Sequence, residues 1–224
     1  MKKMILIVIL TAVSVYPQNP CKGTPVVLFG GKNYNTVQIG TQCWLKENIN
    51  LGTMIDSIKN QTDNGIVEKY CYQNNLKNCE LYGGLYQWAE AVQYQNGAAN
   101  KKSANPAITG KVQGICPAGW HIPSFNEFQT LFEIVKGDAD RLKSAGQGIV
   151  GNTGTNKSGF SALFAGFRDI NNYFTNLGHD AYFWSSTEKN DDDAVRMFLY
   201  YNLNFIYWLS DIKIDGISVR CLKD

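Results

Sequence analysis

The sequence predicts an α+β fold with two helices to one side of an antiparallel sheet, long loops and disulfide bonds. Three observations lead to this prediction. Two segments with helical spacing of apolar residues precede a run of short aromatic and β-branched segments, an order typical of helices packed to one side of an antiparallel sheet. The chain holds six cysteines. Its opening segment indicates export, and cysteines of exported proteins normally form disulfides.

Residues 1–18, MKKMILIVILTAVSVYPQ, start with a lysine pair after Met1 and continue as an apolar run that ends near small residues. This pattern is typical of a secretory signal peptide. A membrane-spanning helix would need roughly 20 apolar residues, so an uncleaved anchor is the weaker alternative. We predict a signal peptide over 1–18, a mature domain over 19–224, secretion or display at the cell surface, and no membrane span after cleavage.

The mature chain is predicted to be formally neutral. Loss of Lys2 and Lys3 lowers the basic count from 21 to 19, which equals the 19 acidic residues. No basic cluster longer than Lys101-Lys102 occurs in the chain. Nucleic-acid binding requires a basic surface that displaces counterions, so we expect no nucleic-acid partner.

The front of the mature chain predicts a hairpin and a first helix. Val26–Phe29 and Tyr34–Ile39 have the composition of strands and are joined by a Gly-Gly turn, with a third strand over residues 42–45. Apolar residues at helical spacing predict the first helix from near Gly84 to Tyr94. The polar residues 95–113 are predicted to form a surface loop.

The second helix has a defined start. Ser124 and Glu127 are spaced as a capping box, in which each side chain accepts a hydrogen bond from the other residue's backbone amide. Asp138 is predicted to cap a further short helix over residues 139–144. The apolar stripe of the second helix ends before Gly137 and consists of Phe125, Phe128, Leu131, Phe132 and Val135.

The C-terminal part predicts short strands that follow a glycine-rich loop over residues 146–159. Their aromatic and β-branched residues suit the surface of a sheet. Alternation along the last segment places Cys221 on the same inward face as Ile217 and Val219. The predicted strands are Phe160–Phe164, Ala181–Ser186, Ala194–Leu199, Phe205–Leu209 and Ile217–Leu222.

The six cysteines are predicted to form three disulfides. Cys71 and Cys79 would close a short polar loop, and Cys21 and Cys43 would tie the mature N-terminus to the first hairpin. Cys116 and Cys221 remain, and closing so long a loop would stabilise the chain by about 4 to 5 kcal/mol in the chain-entropy model. A zinc site is the rejected alternative, because the chain has no CxxC pair and only two histidines.

Four segments together carry a family resemblance: Tyr34–Asn50 (YNTVQIGTQCWLKENIN), Cys116–Phe128 (CPAGWHIPSFNEF), Gly166–Glu188 (GFRDINNYFTNLGHDAYFWSSTE) and Gly216–Asp224 (GISVRCLKD). In this order they resemble the Fibrobacter succinogenes major paralogous domain family. That family is in turn similar to the C-type-lectin-like and formylglycine-generating-enzyme-like folds. The resemblance implies two helices flanking a twisted antiparallel sheet, chain ends close together and a bridge that ties the core to the last strand.

The resemblance does not imply a metal or a cofactor. Sugar-binding C-type lectins hold calcium through a Glu-Pro-Asn or Gln-Pro-Asp tripeptide and a Trp-Asn-Asp strand, and this chain has neither tripeptide. Phe183–Glu188 (FWSSTE) has serines where that strand would carry its carboxylate. The acidic turn Asp191–Asp193 could offer oxygens to calcium, but three adjacent aspartates cannot all face one ion. We therefore predict a solvated hairpin tip there.

We predict that the protein is not an enzyme. Formylglycine-generating enzymes need a redox-active cysteine pair near the C-terminus, where this chain has only Cys221. Ser185, His179 and Asp180 could be drawn as a hydrolase triad, but no Gly-x-Ser-x-Gly elbow frames the serine. The other histidine, His121, is predicted to pack and to donate a hydrogen bond where the second helix begins.

The loop Arg168–Tyr182 is the best binding candidate, since it mixes aromatic rings with amides, a carboxylate and a histidine. Carbohydrate sites use flat rings for apolar sugar faces and planar polar groups for hydroxyls. The alternative is that Phe174 and Tyr182 are core residues. The hairpin Tyr200–Trp208 is a second aromatic candidate. The predicted site residues are Tyr173, Phe174, Asn176, His179, Asp180 and Trp208.

These observations predict an exported, non-catalytic recognition module that binds a glycan or a surface protein. A structural adhesion spacer would have the same core but would bury the loop aromatics. A hydrolase or oxidase acting near His179 and Ser185 is the third alternative.

Overall fold

The computed structural model describes residues 21–224, so the predicted signal peptide lies outside the described residues. The chain is rich in antiparallel sheet and poor in helix. Residues 21–224 form two five-stranded sheets, two short strand pairs and three α-helices. None of the described helices has the length and apolarity needed to cross a membrane.

The first sheet joins the two ends of the described chain. β1 (Val26–Phe29), β2 (Lys32–Ile39) and β3 (Gln42–Leu45) form a meander. Gly30 and Gly31 connect β1 to β2 with φ angles of 55° and 76°, a conformation that the two-residue hairpin turn requires. Two short strands, β7 (Trp120–His121) and β14 (Leu222–Lys223), complete this sheet. Its strand order is β1-β2-β3-β14-β7.

The second sheet has the order β12-β11-β10-β13-β6. It contains three long strands, β10 (Asp180–Glu188), β11 (Asp193–Tyr200) and β12 (Ile206–Ile212), and two short ones, β6 (Leu85–Tyr86) and β13 (Ile217–Ser218). Only β13 pairs in parallel with its neighbour β10. Two strand pairs lie outside the large sheets: β4 (Thr53–Met54) with β5 (Glu68–Lys69), and β8 (Ala165–Arg168) with β9 (Phe174–Leu177).

The helix α3 (Phe125–Val135) confirms the capping-box prediction. The Ser124 side chain accepts from the Glu127 amide, and the Glu127 side chain accepts from the Ser124 amide at 2.8 Å. Asp138 likewise caps a 3₁₀ turn over Ala139–Arg141, shorter than the predicted helix. The buried side chains of α3 are Phe128, Leu131 and Val135, while Phe132 is partly exposed.

The two smaller helices differ from the prediction. α2 covers only Trp88–Ala91, because Leu85 and Tyr86 of the predicted helix form β6 instead. α1 (Leu76–Tyr82) lies in a segment whose start was interpreted as a polar loop. The Asn75 side chain caps α1 by accepting a hydrogen bond from the Lys77 amide. This asparagine is therefore the sequence feature that marks the start of the helix.

Two strand predictions were wrong. Residues 160–164 are buried but irregular, with Ser161 at φ 58° bound to the Asn156 side chain; the strand β8 begins only at Ala165. The predicted strand over 217–222 divides into β13 and β14, which belong to different sheets. The buried Arg220 marks this crossing, since its guanidinium donates to Asn48 and to the Phe160 carbonyl.

All three predicted disulfides are present: Cys21–Cys43, Cys71–Cys79 and Cys116–Cys221. Cys116–Cys221 joins the segment before β7 to the segment before β14, so it fastens the end of the chain into the core. No cysteine of residues 21–224 is left unbonded.

Alternating residues of β10, β11 and β12 point to two different faces of the second sheet. The helix face packs against α3 and consists of Ala181, Phe183, Met197, Leu199, Ile206 and Trp208. The opposite side, here called the aromatic face, consists of Tyr182, Arg196, Phe198, Tyr200, Tyr207 and Leu209.

Candidate functional site

The aromatic face is built from a row of rings that crosses three strands. Tyr182, Phe198 and Tyr207 are cross-strand neighbours. Their rings stack, with centroids 5.9 Å apart between Tyr182 and Phe198 and 5.0 Å apart between Phe198 and Tyr207. Phe167 of β8 covers the Tyr182 end in an edge-on contact of 4.9 Å. The row is therefore closed at one end and becomes more exposed towards β12.

The exposed end of this row carries further aromatic rings. Tyr200 lies edge-on to Phe198 at 5.1 Å and to Tyr207 at 5.6 Å. Phe205, which precedes β12, lies 6.4 Å from Tyr207 and is 64% exposed. Leu209 on the same face is 54% exposed. A cluster of large exposed apolar side chains marks a binding surface more often than a single exposed apolar side chain does.

An ion pair lies beside these rings. The Arg196 guanidinium stands over Tyr182 at 4.4 Å and over Phe198 at 4.9 Å. Its Nε is 2.6 Å from Oδ2 of Asp211, and both side chains keep some exposure to solvent. Arginine favours this position because its planar cation can stack on rings while it pairs with a carboxylate. The pair offers N–H donors and carboxylate acceptors at the edge of an apolar platform.

A hydrogen-bonded triad of Asn176, Asp180 and Tyr182 lies at the start of β10. Oδ2 of Asp180 accepts from Nδ2 of Asn176 at 2.8 Å and from the Tyr182 hydroxyl at 2.9 Å. Asn176 has φ 64°, a left-handed conformation that asparagine adopts more readily than most residues. Burial raises the pKa of Asp180 above its usual range, against the opposing effect of these hydrogen bonds.

Asp215 is a second buried carboxyl in this region. Burial and then the negative charge of Asp211 raise its pKa to about 7, while Arg196 opposes the shift. Among residues 21–224, Oδ1 of Asp180, Oδ1 of Asp215 and Nη1 of Arg196 are buried polar atoms that make no hydrogen bond within the protein. Such atoms are uncommon in folded proteins, and the charge of Arg196 acts on both of these carboxyl groups.

The structure brings only part of the predicted site together. Asn176 and Asp180 join the aromatic face. Tyr173 is 71% exposed in the turn before β9, and Phe174 packs on Tyr72 at 5.1 Å. His179 is exposed and lies edge-on to Tyr201 at 4.6 Å. The loop therefore supplies amide and carboxylate groups to the face, while the predicted site rings Tyr173 and Phe174 lie elsewhere.

Trp208 does not belong to this surface. Its ring lies on the helix face, in contact with Phe125 at 5.7 Å, Phe128 at 5.9 Å and Phe132 at 6.3 Å. Its neighbour Tyr207 points the other way and takes the place in the aromatic face that was predicted for Trp208. The sequence interpretation also missed Arg196, Asp211 and Asp215. Because side chains alternate between the two faces of a strand, Arg196 could have been predicted to share a face with Phe198 and Tyr200.

Ser185 and His179, the pair drawn as a possible hydrolase site, are not brought together. Ser185 is fully buried, and its hydroxyl accepts from the Thr187 amide. It is six positions from His179, a separation of about 20 Å along an extended strand. His121 is buried at the start of α3, as predicted, with Nδ1 at 2.6 Å from Asp224 and Nε2 at 2.9 Å from Glu127.

The acidic turn Asp191–Asp193 is hydrogen-bonded to the neighbouring loop at Ser103. Asp191 accepts from the Ser103 amide at 2.9 Å and from the Ser103 hydroxyl at 2.6 Å. Asn190 binds the amides of Asp192 and Asp193. Within residues 21–224, no group of three or more histidine, cysteine, aspartate or glutamate side chains is arranged to hold a metal ion.

A groove of about 400 Å³ lies between this loop and the end of β10. Its wall includes Ser103, Ser186, Thr187 and Glu188. The Glu188 carboxylate already binds Nζ of Lys213 at 2.6 Å and the Ala104 amide at 3.1 Å. Because internal contacts occupy its main charged group, we regard this groove as the weaker candidate.

Comparison with known proteins establishes the family. Residues 37–223 match the Fibrobacter succinogenes major domain, and the chain belongs to that family. The match covers every strand of the aromatic face. No curated protein and no solved structure matches the chain significantly.

Proposed function

We propose that this protein is an exported, non-catalytic recognition module that binds carbohydrate on the aromatic face. The observation that carries the proposal is the partly exposed aromatic rim formed by Tyr200, Phe205 and Tyr207 beside the Arg196–Asp211 pair. Aromatic rings contact the apolar faces of sugars, and fixed donors and acceptors orient the hydroxyls. The Asn176–Asp180 pair at the start of β10 extends these polar contacts.

The scaffold supports a recognition role. The platform residues lie on paired strands, so their positions are set by the sheet and not by a flexible loop. Three disulfides brace the described part of the chain. A structural spacer, the alternative role, would bury these aromatics, whereas Phe205 is largely exposed and Tyr200 and Tyr207 are half-buried.

Export and a C-type-lectin-like arrangement form part of the proposal. Export rests on the predicted signal peptide, together with the disulfides. The lectin-like arrangement rests on the pairing of β14 with β3, which brings the C-terminus beside the first hairpin, and on the Cys116–Cys221 bridge. A surface protein is the second candidate ligand, because β12 is an edge strand of its sheet and carries the exposed Leu209.

Glycan and matrix-polysaccharide arrays with the purified mature protein, with and without calcium, test the proposal. Tyr207→Ala should weaken binding at least tenfold, because it removes the half-buried ring at the centre of the aromatic rim. Trp208→Ala should leave binding unchanged in protein that is still folded, because this ring faces α3. Equal binding by wild type and Tyr207→Ala would contradict the site, and calcium-dependent binding would favour the Asp191–Asp193 turn instead. Absence of any glycan binding would contradict the function.

A further inference from the structure

We propose that two copies of this chain associate through the open edge of β12, in an antiparallel pair of strands centred on Leu209. This association does not depend on carbohydrate binding. It follows from the direction of the backbone groups of β12, from what covers the two ends of its edge, and from the match between this strand and a second copy of itself.

β12 is the outer strand of its sheet and lacks the usual protection of such a strand. Edge strands are normally protected by lysine, proline, a β-bulge or a covering element. β12 (IYWLSDI) contains neither lysine nor proline, and its register with β11 is unbroken. Its one charged residue, Asp211, pairs with Arg196 inside the same sheet. The outer side of β12 is therefore suited to accept a further strand.

The outward backbone groups of β12 belong to its even-numbered residues. Just beyond the strand, the Lys213 amide donates to the Asp192 carbonyl at 2.8 Å, and these two residues are opposite each other when the β11–β12 register is continued. In an antiparallel pair, positions that bond to the neighbouring strand alternate with positions that do not. Leu209 and the other odd-numbered residues therefore bond to β11. The residues whose N–H and C=O groups point away from β11 are Ile206, Trp208, Ser210 and Ile212.

The chain itself covers both ends of this edge. Asp138 forms a backbone bridge with Phe205, the residue that precedes β12. At the other end, the Ile212 amide donates to Oδ1 of Asp211 at 3.0 Å, and the Ile212 carbonyl accepts from the Asp215 amide at 3.0 Å. The groups that point outward at the two ends are thus covered or already bonded.

The middle of the edge is open. Within residues 21–224, no loop, turn or side chain hydrogen-bonds to the backbone of Trp208 or Ser210. Leu209 is 54% exposed and Ser210 is also exposed, while α3 packs over β10 and β11. The open stretch is therefore Trp208–Ser210, and Leu209 is its centre.

This open stretch matches a second copy of itself. In an antiparallel pair centred on Leu209, Trp208 of each copy lies opposite Ser210 of the other, and the two residues exchange both of their backbone hydrogen bonds. Leu209 lies opposite Leu209 of the second copy, so two exposed apolar side chains leave water together. A centre on Trp208 or on Ser210 would instead use Ile206 or Ile212, which lie at the covered ends.

The flanking side chains fit the same register. Tyr207 lies opposite Asp211 of the second copy, where its hydroxyl can donate to the carboxylate. The two Asp211 side chains lie at opposite ends of the paired strands, so no like charges face each other. A second copy supplies all of these matches from one sequence, whereas a different strand would have to supply each separately. The pairing also places both aromatic faces on the same side of one continuous sheet.

Sedimentation velocity of the purified mature protein at concentrations from about 5 to 500 μM tests the association. We expect a monomer–dimer equilibrium with a dissociation constant of about 10 to 200 μM, because so short a strand pair buries less area than a stable dimer interface. A protein that is monomeric at every concentration would overturn the proposal and would leave the edge to a strand of another protein.

Leu209→Glu tests the location of the interface. It should weaken dimerisation at least tenfold, because it places two carboxylates opposite each other at the centre of the pair. Arg196 lies opposite Leu209 on β11, so the fold can accommodate a glutamate there. Leu28→Glu is the matched control, since Leu28 is a 74% exposed leucine on β1, the edge strand of the other large sheet. It should leave the dissociation constant unchanged.

Single cysteines test the register. Two copies of Leu209 would form a non-hydrogen-bonded pair with Cα atoms about 4.5 Å apart, a distance that a disulfide can span. Two copies of Ser210 would lie diagonally, roughly 8 to 9 Å apart, which is too far. Leu209→Cys should therefore form a covalent dimer on mild oxidation and Ser210→Cys should not, as judged by non-reducing electrophoresis.

Two further results would overturn the proposal. A dimer that resists Leu209→Glu would place the interface elsewhere, and loss of the dimer in Leu28→Glu alone would place it at β1. Covalent dimers of Ser210→Cys without those of Leu209→Cys would exclude the pairing centred on Leu209. Circular dichroism identical to wild type establishes that each variant is folded. None of these measurements involves a glycan, so their failure would leave the proposed carbohydrate binding unaffected.

Discussion

The two faces of the β10–β12 sheet share the same strands and similar aromatic content, but differ in what covers them. On the helix face, Phe183 and Trp208 lie under α3 and the segment around Phe160. On the aromatic face, cover from β8 reaches Tyr182, while Tyr207 stays half-buried. The comparison shows that an aromatic strand becomes core or candidate site according to the element packed over it.

The comparison predicts that the helix face contributes most of the stability. Phe183 is fully buried, so Phe183→Ala should lower the free energy of unfolding by about 3–5 kcal/mol through lost burial and a cavity. Tyr200→Ala on the aromatic face should cost only about 1 kcal/mol, because the ring is already partly in water. Urea unfolding of both variants measures the difference, and equal costs would show that the aromatic face is core as well.

Adjacent residues provide a sharper test. Trp208→Ala should cost about 2–3 kcal/mol of stability, since its ring packs among three phenylalanines of α3, and should leave glycan affinity unchanged. Tyr207→Ala should cost less stability and remove most of the affinity. Denaturation and array binding are measured on both variants. We expect Trp208→Ala to lose mainly stability and Tyr207→Ala to lose mainly glycan affinity. If both variants lost both properties together, the two faces would not be separable.

The start of α3 makes the helix face sensitive to acid. Burial alone would raise the pKa of Glu127, but hydrogen bonds from His121 and Ser124 outweigh it and lower the pKa to about 2. A lowered folded-state pKa gives stability that is complete above the unfolded value near 4.5 and is lost as the pH falls towards 2. We expect a loss of about 2 kcal/mol from this group.

Unfolding of wild type and Glu127→Gln between pH 7 and pH 2 measures that contribution. The difference in stability between the two proteins should be largest above pH 5 and should shrink below it. A constant difference over the whole range would indicate that Glu127 acts through shape and not through charge.

The aromatic face should respond to pH in the opposite sense. The folded-state pKa of Asp215 is raised to about 7 from 3.8, so the folded protein holds this proton more tightly than the unfolded chain. Stability from this group therefore falls as the pH rises from about 4 to 7. Asp215→Asn should be more stable than wild type at pH 7.5 by about 1 kcal/mol, and the advantage should vanish near pH 4.

Thermal unfolding of Asp215→Asn at these two pH values measures the smallest of the predicted effects. A variant that is less stable at pH 7.5 would mean that the ionised Asp215 makes a favourable contact with Arg196, and would remove the contrast in pH response between the faces.

Much of the fold was predictable because it depends on neighbours in the sequence. The capping box needs only Ser124 and Glu127, three residues apart, and the first hairpin needs only a Gly-Gly turn between two strands. Cysteine spacing was enough to predict the disulfide pairs, since two of them close short loops and the third pair remains. Asn176 and Asp180 were recognisable as candidate site residues because their side-chain chemistry is local to one loop.

The tertiary structure alone decided which side chains share the aromatic face. Tyr207 and Trp208 look alike in the sequence and both are half-buried, but the Trp208 ring packs on phenylalanines of α3 while the Tyr207 ring lies on the aromatic face. The charges at the face were hidden for the same reason, since Arg196, Asp211 and Asp215 meet only when the strands pair. Local patterns encode turns, caps and alternation within a few residues, whereas the covering of a face depends on segments distant in the chain.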